Sequence, residues 1–214
     1  MLGKSRRKKS MSEIVIPVAH DFTCPWCWIG LFQAKRLKAE FGVKLEWLAY
    51  ELCPAELGWP EPRAPMPVPA NKPPLLSRLD FLKLMDSVDI PKIERPKRMH
   101  IHDAHEAVEF VKQHVPKATD AFVEDLYRAY WERGERIGEI DVITDIAAPY
   151  LAADNDFERS ITSKRYAEKI IGFDAPAYAT GVFNVPTFWI GGERYAEQPY
   201  MVLERAMKSQ AVTA

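Results

Sequence analysis

Two cysteines, Cys24 and Cys27, enclose the dipeptide Pro25-Trp26. Two thiols at this spacing can close a disulfide or share a metal ion. Pro25 favours the first turn of a helix, because its missing N–H needs no partner there, and this makes Cys24 the predicted helix N-cap. At that position the sulfur faces unpaired backbone N–H groups and the positive end of the helix dipole, and both favour the thiolate. We therefore predict that Cys24 attacks a disulfide and that Cys27 is the resolving thiol.

The residues around the pair are candidates for tuning its chemistry. His20 and Asp21 precede it and could tune the thiolate or shuttle a proton, although Asp21 could equally serve only to cap the turn. Pro25 and Trp26 lie between the thiols, and we predict that Trp26 acts through access and packing rather than through chemistry.

The elements that must position the pair are a strand, a helix and a second strand. Residues 13–19 are apolar and β-branched, which predicts a buried strand that delivers the motif from its C-terminal end. Apolar residues then recur at helical spacing, and Gly42 is placed to end the helix. Alternation over residues 43–50 predicts the second strand. A CxxC pair between a first strand and a helix is typical of a thioredoxin-like fold.

The middle of the chain predicts a stiff connection followed by helices. Residues 54–74 hold eight of the 17 prolines, so this segment can neither pair in a sheet nor continue a helix, and it could border the active-site cleft or act as a spacer. The pattern is then helical, and the final helix of this middle block is predicted from about Ser163 to Tyr178. His100, His102 and His105 have no thiol or carboxylate at metal spacing, and we predict that they are surface residues.

At the end of the chain the β pattern returns. Residues 185–190 are apolar, Gly191-Gly192 predicts a hairpin, and a last helix begins near Pro199. The predicted fold class is α/β, a thioredoxin-like fold with a large all-helical domain inserted after the first β-α-β unit. The predicted domains are a disordered basic tail at 1–12, a discontinuous thioredoxin-like domain at 13–53 and 181–210, the proline-rich connection at 54–74, and the inserted helical domain at 75–180.

Four segments together resemble the DsbA-like thioredoxin superfamily and, within it, the FrnE-like branch of CPWC oxidoreductases. They are residues 20–30, 50–54, 181–188 and 196–199, and the match spans about residues 14 to 208. The resemblance implies a cytosolic thiol:disulfide oxidoreductase or isomerase. Its partners would be protein or small-molecule thiols and disulfides and a cellular thiol reductant. It would need no cofactor besides its own redox-active disulfide, with glutathione as a candidate co-substrate.

The resemblance also implies where a substrate binds. In the family, the proline that falls on Pro186 is cis and lies against the CxxC pair, where its neighbour's backbone pairs with an extended substrate peptide. Val185, Pro186 and Thr187 are therefore the predicted substrate-binding residues. Pro17 departs from the pattern, because it should force an edge, a bulge or a shortened strand. Cys53 replaces an Asn or another non-thiol, which makes it a candidate third redox participant.

Other functions stay open at this point. Glutathione transferases of the kappa type and 2-hydroxychromene-2-carboxylate isomerases share the inserted-helix architecture, but they typically carry Ser where this chain has Cys24. A zinc site built from His20, Cys24, Cys27 and Cys53 lacks a second CxxC, so we predict no metal site. A non-enzymatic, redox-sensitive binding or chaperone-like module is the remaining alternative.

Composition excludes several classes of protein. A net charge of −1 provides no overall field that would attract nucleic acid or an anionic membrane. No apolar run is long enough to span a bilayer, and the basic residues 4–9 are not followed by the apolar segment of a signal peptide. An odd count of three cysteines fits one redox pair and one additional cysteine better than it fits a set of structural disulfides. We therefore predict a cytoplasmic protein without a nucleic-acid or membrane partner.

Overall fold

The computed structural model of the protein describes residues 14–59, 76–152 and 156–213. The predicted tail at 1–12 and most of the proline-rich connection lie outside these residues. Five strands belong to the described part, namely β1 (Val15–His20), β2 (Lys44–Glu51), β3 (Ile171–Gly172), β4 (Thr187–Ile190) and β5 (Glu193–Ala196). Its α-helices are α1 (Pro25–Phe41), α2 (Arg78–Asp86), α3 (His102–His114), α4 (Thr119–Arg133), α5 (Ile140–Ala147), α6 (Phe157–Thr162), α7 (Ala175–Ala179) and α8 (Tyr200–Thr213).

The strands form one mixed sheet in the order β3-β2-β1-β4-β5. All six residues of β1 pair in parallel with residues 44–49 of β2, whereas β4 pairs antiparallel with only Val18 and Ala19 of β1. The ladder between β1 and β4 therefore stops short of Pro17, which has no N–H to contribute. The predicted edge position and shortened strand are nevertheless wrong, because β1 keeps six residues, pairs with β2 along all of them and lies at the centre of the sheet. Only the ladder with β4 is short.

Helix α1 begins and ends where the sequence predicts. It starts at Pro25, directly after Cys24, and it ends at Gly42, whose φ of 65° closes the helix and lets its N–H bond to the carbonyl of Lys38. The predicted hairpin is also present, because β4 and β5 pair antiparallel around Gly191 and Gly192.

The helices between β2 and β3 pack on the sheet and on α1. Helix α4 buries Phe122, Leu126 and Tyr127 completely, and the indole of Trp47 on β2 donates to Asp120 at the start of α4 across 2.9 Å. A helical block inserted into a thioredoxin-like fold is the predicted fold class, and the structure confirms it. The exact domain boundaries stay a prediction.

The prediction of one helix from about Ser163 to Tyr178 is wrong. Helix α6 ends at Thr162, Lys164 takes a left-handed φ of 55°, and a short 3-10 turn over Ala167–Lys169 follows. The apolar residues after this turn form β3, which pairs in parallel with Tyr50 and Glu51 of β2. Pro176 lies in the first turn of α7, where its missing N–H needs no partner, so it marks the start of a new helix.

Candidate active site

Cys24 lies at the N-terminus of α1, at the end of the sheet where β1 stops. Its backbone is extended, with φ −77° and ψ 121°, and its carbonyl accepts hydrogen bonds from the N–H groups of Cys27 at 3.0 Å and Trp28 at 3.1 Å. Only 5% of Cys24 is exposed, and its thiol lies 3.5 Å from the carbonyl oxygen of Val185. This confirms Cys24 as the N-cap residue of α1, although its side chain accepts no capping hydrogen bond.

The segment before β4 lies against this sulfur. The peptide bond between Val185 and Pro186 is cis, and Pro186 packs directly on α1 at Gly30. A Cβ at Gly30 would lie 2.9 Å from the Cβ and Cγ atoms of Pro186, so only glycine allows this contact. Thr187 is buried, and its hydroxyl donates to the carbonyl of Asn184 across 2.6 Å. The structure thus brings together Cys24 and the three residues predicted to bind substrate.

Cys27 lies behind Cys24, with 1% of its surface exposed. Burial raises the pKa of its thiol well above the ordinary value, and a hydrogen bond to Cys24 raises that pKa further. The backbone N–H of Asp21 points at the Cys27 sulfur from 3.5 Å. Cys27 therefore holds its proton in the reduced protein, and this proton must leave before its sulfur can attack.

Asp21 is the carboxylate closest in sequence to the pair, and it is completely buried. Burial raises its pKa to about 6, although hydrogen bonds from Leu52 and Thr23 oppose the rise. One oxygen accepts from the Leu52 N–H at 2.7 Å, and the other accepts from the N–H and the hydroxyl of Thr23, each at 2.6 Å. Asp21 therefore fixes the turn that leads into Cys24. Its carboxyl group also gains or loses a proton close to neutral pH.

His20 lies in the core on the other side of this turn. Burial and the neighbouring His105 lower its pKa well below the ordinary value, so the ring is neutral. Its Nδ1 shares a hydrogen bond of 3.0 Å with the hydroxyl of Tyr127, which also lies 3.2 Å from the carbonyl oxygen of Asp21. Burial raises the pKa of Tyr127 well above its ordinary value, and a thiolate at Cys27 raises it further. His20, Tyr127 and Cys27 are thus neighbours in one buried group.

The prediction that three histidines are surface residues is wrong for His105. That ring is fully buried, its centroid lies 5.4 Å from the centroid of the His20 ring, and burial lowers its pKa to about 3. His102 is partly buried between Glu51 and Glu106, while His100 is exposed. His105 lies on the face of α3 that packs on the sheet, next to Ala104 and Val108, and this helical position is the signal that the sequence contained.

Two aromatic residues of α4 belong to the site although sequence reasoning did not place them there. The indole N–H of Trp131 donates to the carbonyl of Phe22 across 2.8 Å, and Tyr127 contacts His20 as described above. Their spacing of four residues puts both on the apolar face of one helix. That spacing predicts burial, but it does not say against which loop.

Trp26 and Cys53 lie at the rim of the site. Trp26 is half-buried, and the guanidinium of Arg78 lies 5.8 Å from the centroid of its ring. Cys53 is also half-buried, and burial raises the pKa of its thiol, as do the nearby charges of Asp21 and Glu51. All three cysteines are free thiols.

Within residues 14–59, 76–152 and 156–213, no group of three or more His, Cys, Asp and Glu side chains is arranged to hold a metal ion. Over the same ranges, no helix has the length and apolar character needed to cross a membrane.

Several solved structures share this fold. SCO1869 of Streptomyces coelicolor, described as a probable DsbA oxidoreductase, aligns with a TM-score of 0.66 at 18% identity, over 92% of this chain and 89% of its own. A 2-hydroxychromene-2-carboxylate isomerase aligns with a TM-score of 0.66 at 17% identity, over 92% and 96% of the two chains. DsbM, a cytosolic disulfide reductase of Pseudomonas aeruginosa that has also been solved with GSH, aligns with a TM-score of 0.59 at 15% identity, over 91% and 99%. At these identities the likeness shows the fold alone.

The family is shown by the sequence itself. The sequence profile of the DSBA-like thioredoxin domain matches residues 15–208, which is nearly all of a chain of 214 residues. The match includes both cysteines of the pair and the Val185–Pro186 segment that lies against them. The resemblance to the DsbA-like superfamily is therefore confirmed, while the FrnE-like branch stays a prediction. The protein belongs to the family defined by the DSBA-like thioredoxin domain.

Proposed function

We propose that the protein is a cytosolic, FrnE-like thiol:disulfide oxidoreductase or isomerase, in which Cys24 attacks and Cys27 resolves. The observation that carries the proposal is the position of the Cys24 sulfur, at the start of α1 and 3.5 Å from the Val185 carbonyl. A sulfur at a helix start is a position typical of reactive cysteines, and the Val185 backbone beside it is where an extended peptide would lie.

The reaction then has two exchange steps. The Cys24 thiolate attacks one sulfur of the substrate disulfide, a mixed disulfide forms, and the other substrate sulfur leaves as a thiolate that takes up a proton. Cys27 loses its proton and attacks Cys24, the Cys24–Cys27 disulfide forms, and the second substrate sulfur leaves and is protonated. Two electrons pass from the protein to the substrate. A cellular dithiol or a pair of small thiols restores the reduced protein, and the same steps in reverse would oxidise a substrate.

Under this proposal Asp21 accepts the proton that Cys27 must lose. Its pKa of about 6 makes it a base at neutral pH, and its charge lies close enough to affect the Cys27 thiol. His20 holds the Tyr127 hydroxyl in place, while Pro25 and Trp26 shape access to the sulfurs. Val185, Pro186 and Thr187 would present the backbone on which the substrate lies.

Two observations support the cytosolic location. DsbM, which shares the fold, is described as a cytosolic disulfide reductase. Three cysteines in 214 residues are also more typical of a protein in a reducing compartment than of a secreted protein held together by disulfides.

The test compares three single substitutions on a disulfide peptide substrate. Cys24→Ser should abolish turnover, whereas Cys27→Ser should trap a mixed disulfide that is visible as added mass. Cys53→Ser is the matched control, and it should keep most of the activity. Equal losses from Cys24→Ser and Cys53→Ser would refute the assigned roles.

The proton transfer has its own test. In rapid-mixing experiments the resolving step of the wild-type protein should speed up as the pH rises through about 6, where Asp21 ionises. Asp21→Asn should slow this step and remove the inflection, while formation of the mixed disulfide changes little. An unchanged inflection would assign it to another group.

A second candidate is a glutathione-dependent isomerase or transferase of the kappa type or the 2-hydroxychromene-2-carboxylate isomerase type. The observation that favours it is the fold shared with such an isomerase along 92% of this chain. Saturable binding of glutathione to the Cys24→Ser protein, measured by calorimetry, would support it. Absence of binding, together with turnover of disulfides by the wild-type protein, would leave the oxidoreductase.

A further inference from the structure

A cavity of about 610 Å³ opens beside the nucleophile, and the functional assignments above make no use of it. One wall is Thr23, the residue directly before Cys24. The other walls are Trp59 after β2, Tyr130 of α4, and residues 93–99, which join α2 to α3. A cavity of this volume is in the range that binds small molecules or a few residues of a peptide.

The charges around this cavity are mainly positive. Arg95, Lys97 and Arg98 line it, and Glu94 is the acidic residue of the lining. Lys97 and Arg98 are exposed, and no ion pair joins either of them to a carboxylate within the part of the chain that the structure describes. We call this cavity, with Thr23, Trp59, Tyr130 and residues 93–99 as its lining, the basic cavity.

The segment that supplies these cations is held in place. The Tyr130 hydroxyl donates to the Pro96 carbonyl at 3.4 Å, and the N–H of Gly138 points at the sulfur of Met99 from 3.3 Å. Met99 is itself buried. A Cβ at Gly138 would lie 2.1 Å from the carbonyl oxygen of His100, so only glycine permits this close approach.

Arg95 is fixed more firmly than the other two cations. Its guanidinium donates to the Pro91 carbonyl at 2.7 Å and lies 4.5 Å from the centroid of the Trp131 ring. The same Trp131 holds the turn before Cys24 through the Phe22 carbonyl. The Trp131 side chain therefore contacts both Arg95 of the basic cavity and the turn before Cys24. Its packing fixes how far the two lie from each other.

We propose that the basic cavity binds a carboxylate that the substrate carries next to its disulfide, with Lys97 and Arg98 as the residues that recognise it. This inference rests on the proposed function and adds the substrate class, an acidic peptide segment around a disulfide. Carboxylates are the anions that peptides carry, and Lys and Arg side chains form charge-assisted hydrogen bonds with them. The aromatic rings of Trp59 and Tyr130 offer flat surfaces against which the peptide can pack. Glutathione disulfide is a small-molecule source of the same chemistry.

The experiment uses two disulfide peptides that differ only in the residues beside the cysteines, Glu in one and Gln in the other. The wild-type protein should show a higher kcat/KM for the Glu peptide, by roughly fivefold at low salt, because two exposed charge pairs contribute modestly. This preference should shrink as salt rises to about 0.3 M. Lys97→Gln combined with Arg98→Gln should remove most of the preference.

The matched control is Lys44→Gln combined with Arg205→Gln, which removes the same charge from exposed positions elsewhere. It should keep the preference. If the control loses it as fully as the Lys97/Arg98 variant does, or if the wild-type protein turns over both peptides equally, the basic cavity does not recognise carboxylates. If the wild-type protein turns over neither peptide, the proposed function itself fails.

Glutathione disulfide forms the second arm of the experiment. A parallel loss of its turnover in the Lys97/Arg98 variant would identify small disulfides as substrates of the same cavity. A loss confined to the Glu peptide would identify peptides.

Discussion

Trp131 of α4 donates its indole N–H to the carbonyl oxygen of Phe22, 109 positions earlier in the chain, across 2.8 Å. Phe22 lies in the turn between β1 and Cys24, and both the indole and the Phe22 ring are buried. The helical block therefore also holds the turn that leads into Cys24, because the Trp131 side chain satisfies a backbone carbonyl of that turn. A buried carbonyl without a partner costs free energy, so this contact fixes the turn.

Replacing Trp131 with Phe should therefore destabilise the protein beyond the loss of packing. We expect the free energy of unfolding to fall by about 1 to 3 kcal/mol, because the Phe22 carbonyl loses its donor in a site that water does not reach. Urea unfolding measures this. Trp189→Phe is the control, since that indole is only half-buried, and it should cost clearly less. Equal costs would show that the hydrogen bond contributes nothing.

Replacing Gly30 with Ala should impair the site although alanine favours helices by about 1 kcal/mol. The new methyl group would lie 2.9 Å from two carbon atoms of Pro186, so α1 or the Val185–Pro186 segment must move. We expect a lower melting temperature and slower disulfide exchange. Gly172→Ala is the matched control, because its Cβ would meet Pro54 at an ordinary distance of 3.5 Å. An active and stabilised Gly30→Ala protein would show that the contact is soft.

Asp21 should make the stability of the protein fall as the pH rises from about 4 to about 6. Its folded-state pKa of about 6 lies above the ordinary 3.8, so in this window the folded state binds more protons than the unfolded state. The buried carboxylate then costs up to about 3 kcal/mol at neutral pH. Asp21→Asn should remove this slope in urea unfolding measured across the window. Asp89→Asn, at an exposed side chain, should keep it, and a slope that survives Asp21→Asn would have another source.

His102 should have the opposite dependence on pH. Its Nδ1 lies 3.2 Å from Glu51 and its Nε2 lies 3.5 Å from Glu106, and the hydrogen bond to Glu51 raises its pKa above the ordinary 6.5. The stabilisation is therefore fully present below pH 6.5 and is lost as the pH rises through the raised pKa. His102→Gln should cost about 2 kcal/mol near pH 6 and less near pH 9.

His114→Gln provides the comparison for that experiment. His114 stacks on Phe110 with ring centroids 3.9 Å apart, and its Nδ1 lies 2.9 Å from the Phe110 carbonyl. Its replacement removes packing without removing an ion pair, so it measures the loss of a histidine ring that has no carboxylate partner. If His102→Gln costs the same free energy of unfolding at pH 6 and at pH 9, the two carboxylates do not hold a charged ring.

Local sequence signals predicted the parts of the site that lie close together in the chain. Pro25 and Gly42 marked the two ends of α1 because their backbone constraints act at a single position. The Gly191-Gly192 hairpin was visible for the same reason. The pairing of strands that lie far apart in the chain could not be predicted from these local signals. The apolar residues of β3 fit a helix or a strand equally well, and only the contact with Tyr50 and Glu51 decides between them.

The missing parts of the site come from contacts between helices and loops. Tyr127 and Trp131 have the spacing of core residues, and nothing in that spacing indicates that they meet His20 and Phe22. The basic cavity is harder still to predict, because an irregular segment and a turn form it together. Its cations lie close together in the sequence, but nothing local shows that Tyr130 of α4 and Thr23 complete a cavity around them.

The contact between Cys24 and Val185 joins two residues that are 161 positions apart. A growing chain carries both cysteines of the pair from early in its synthesis, but it must be extended as far as Pro186 before the wall opposite the sulfur exists. Any fragment that ends before β4 therefore has the two thiols without the Val185–Pro186 segment that lies against the Cys24 sulfur. During translation this contact forms only after Pro186 has been added, long after both cysteines of the pair.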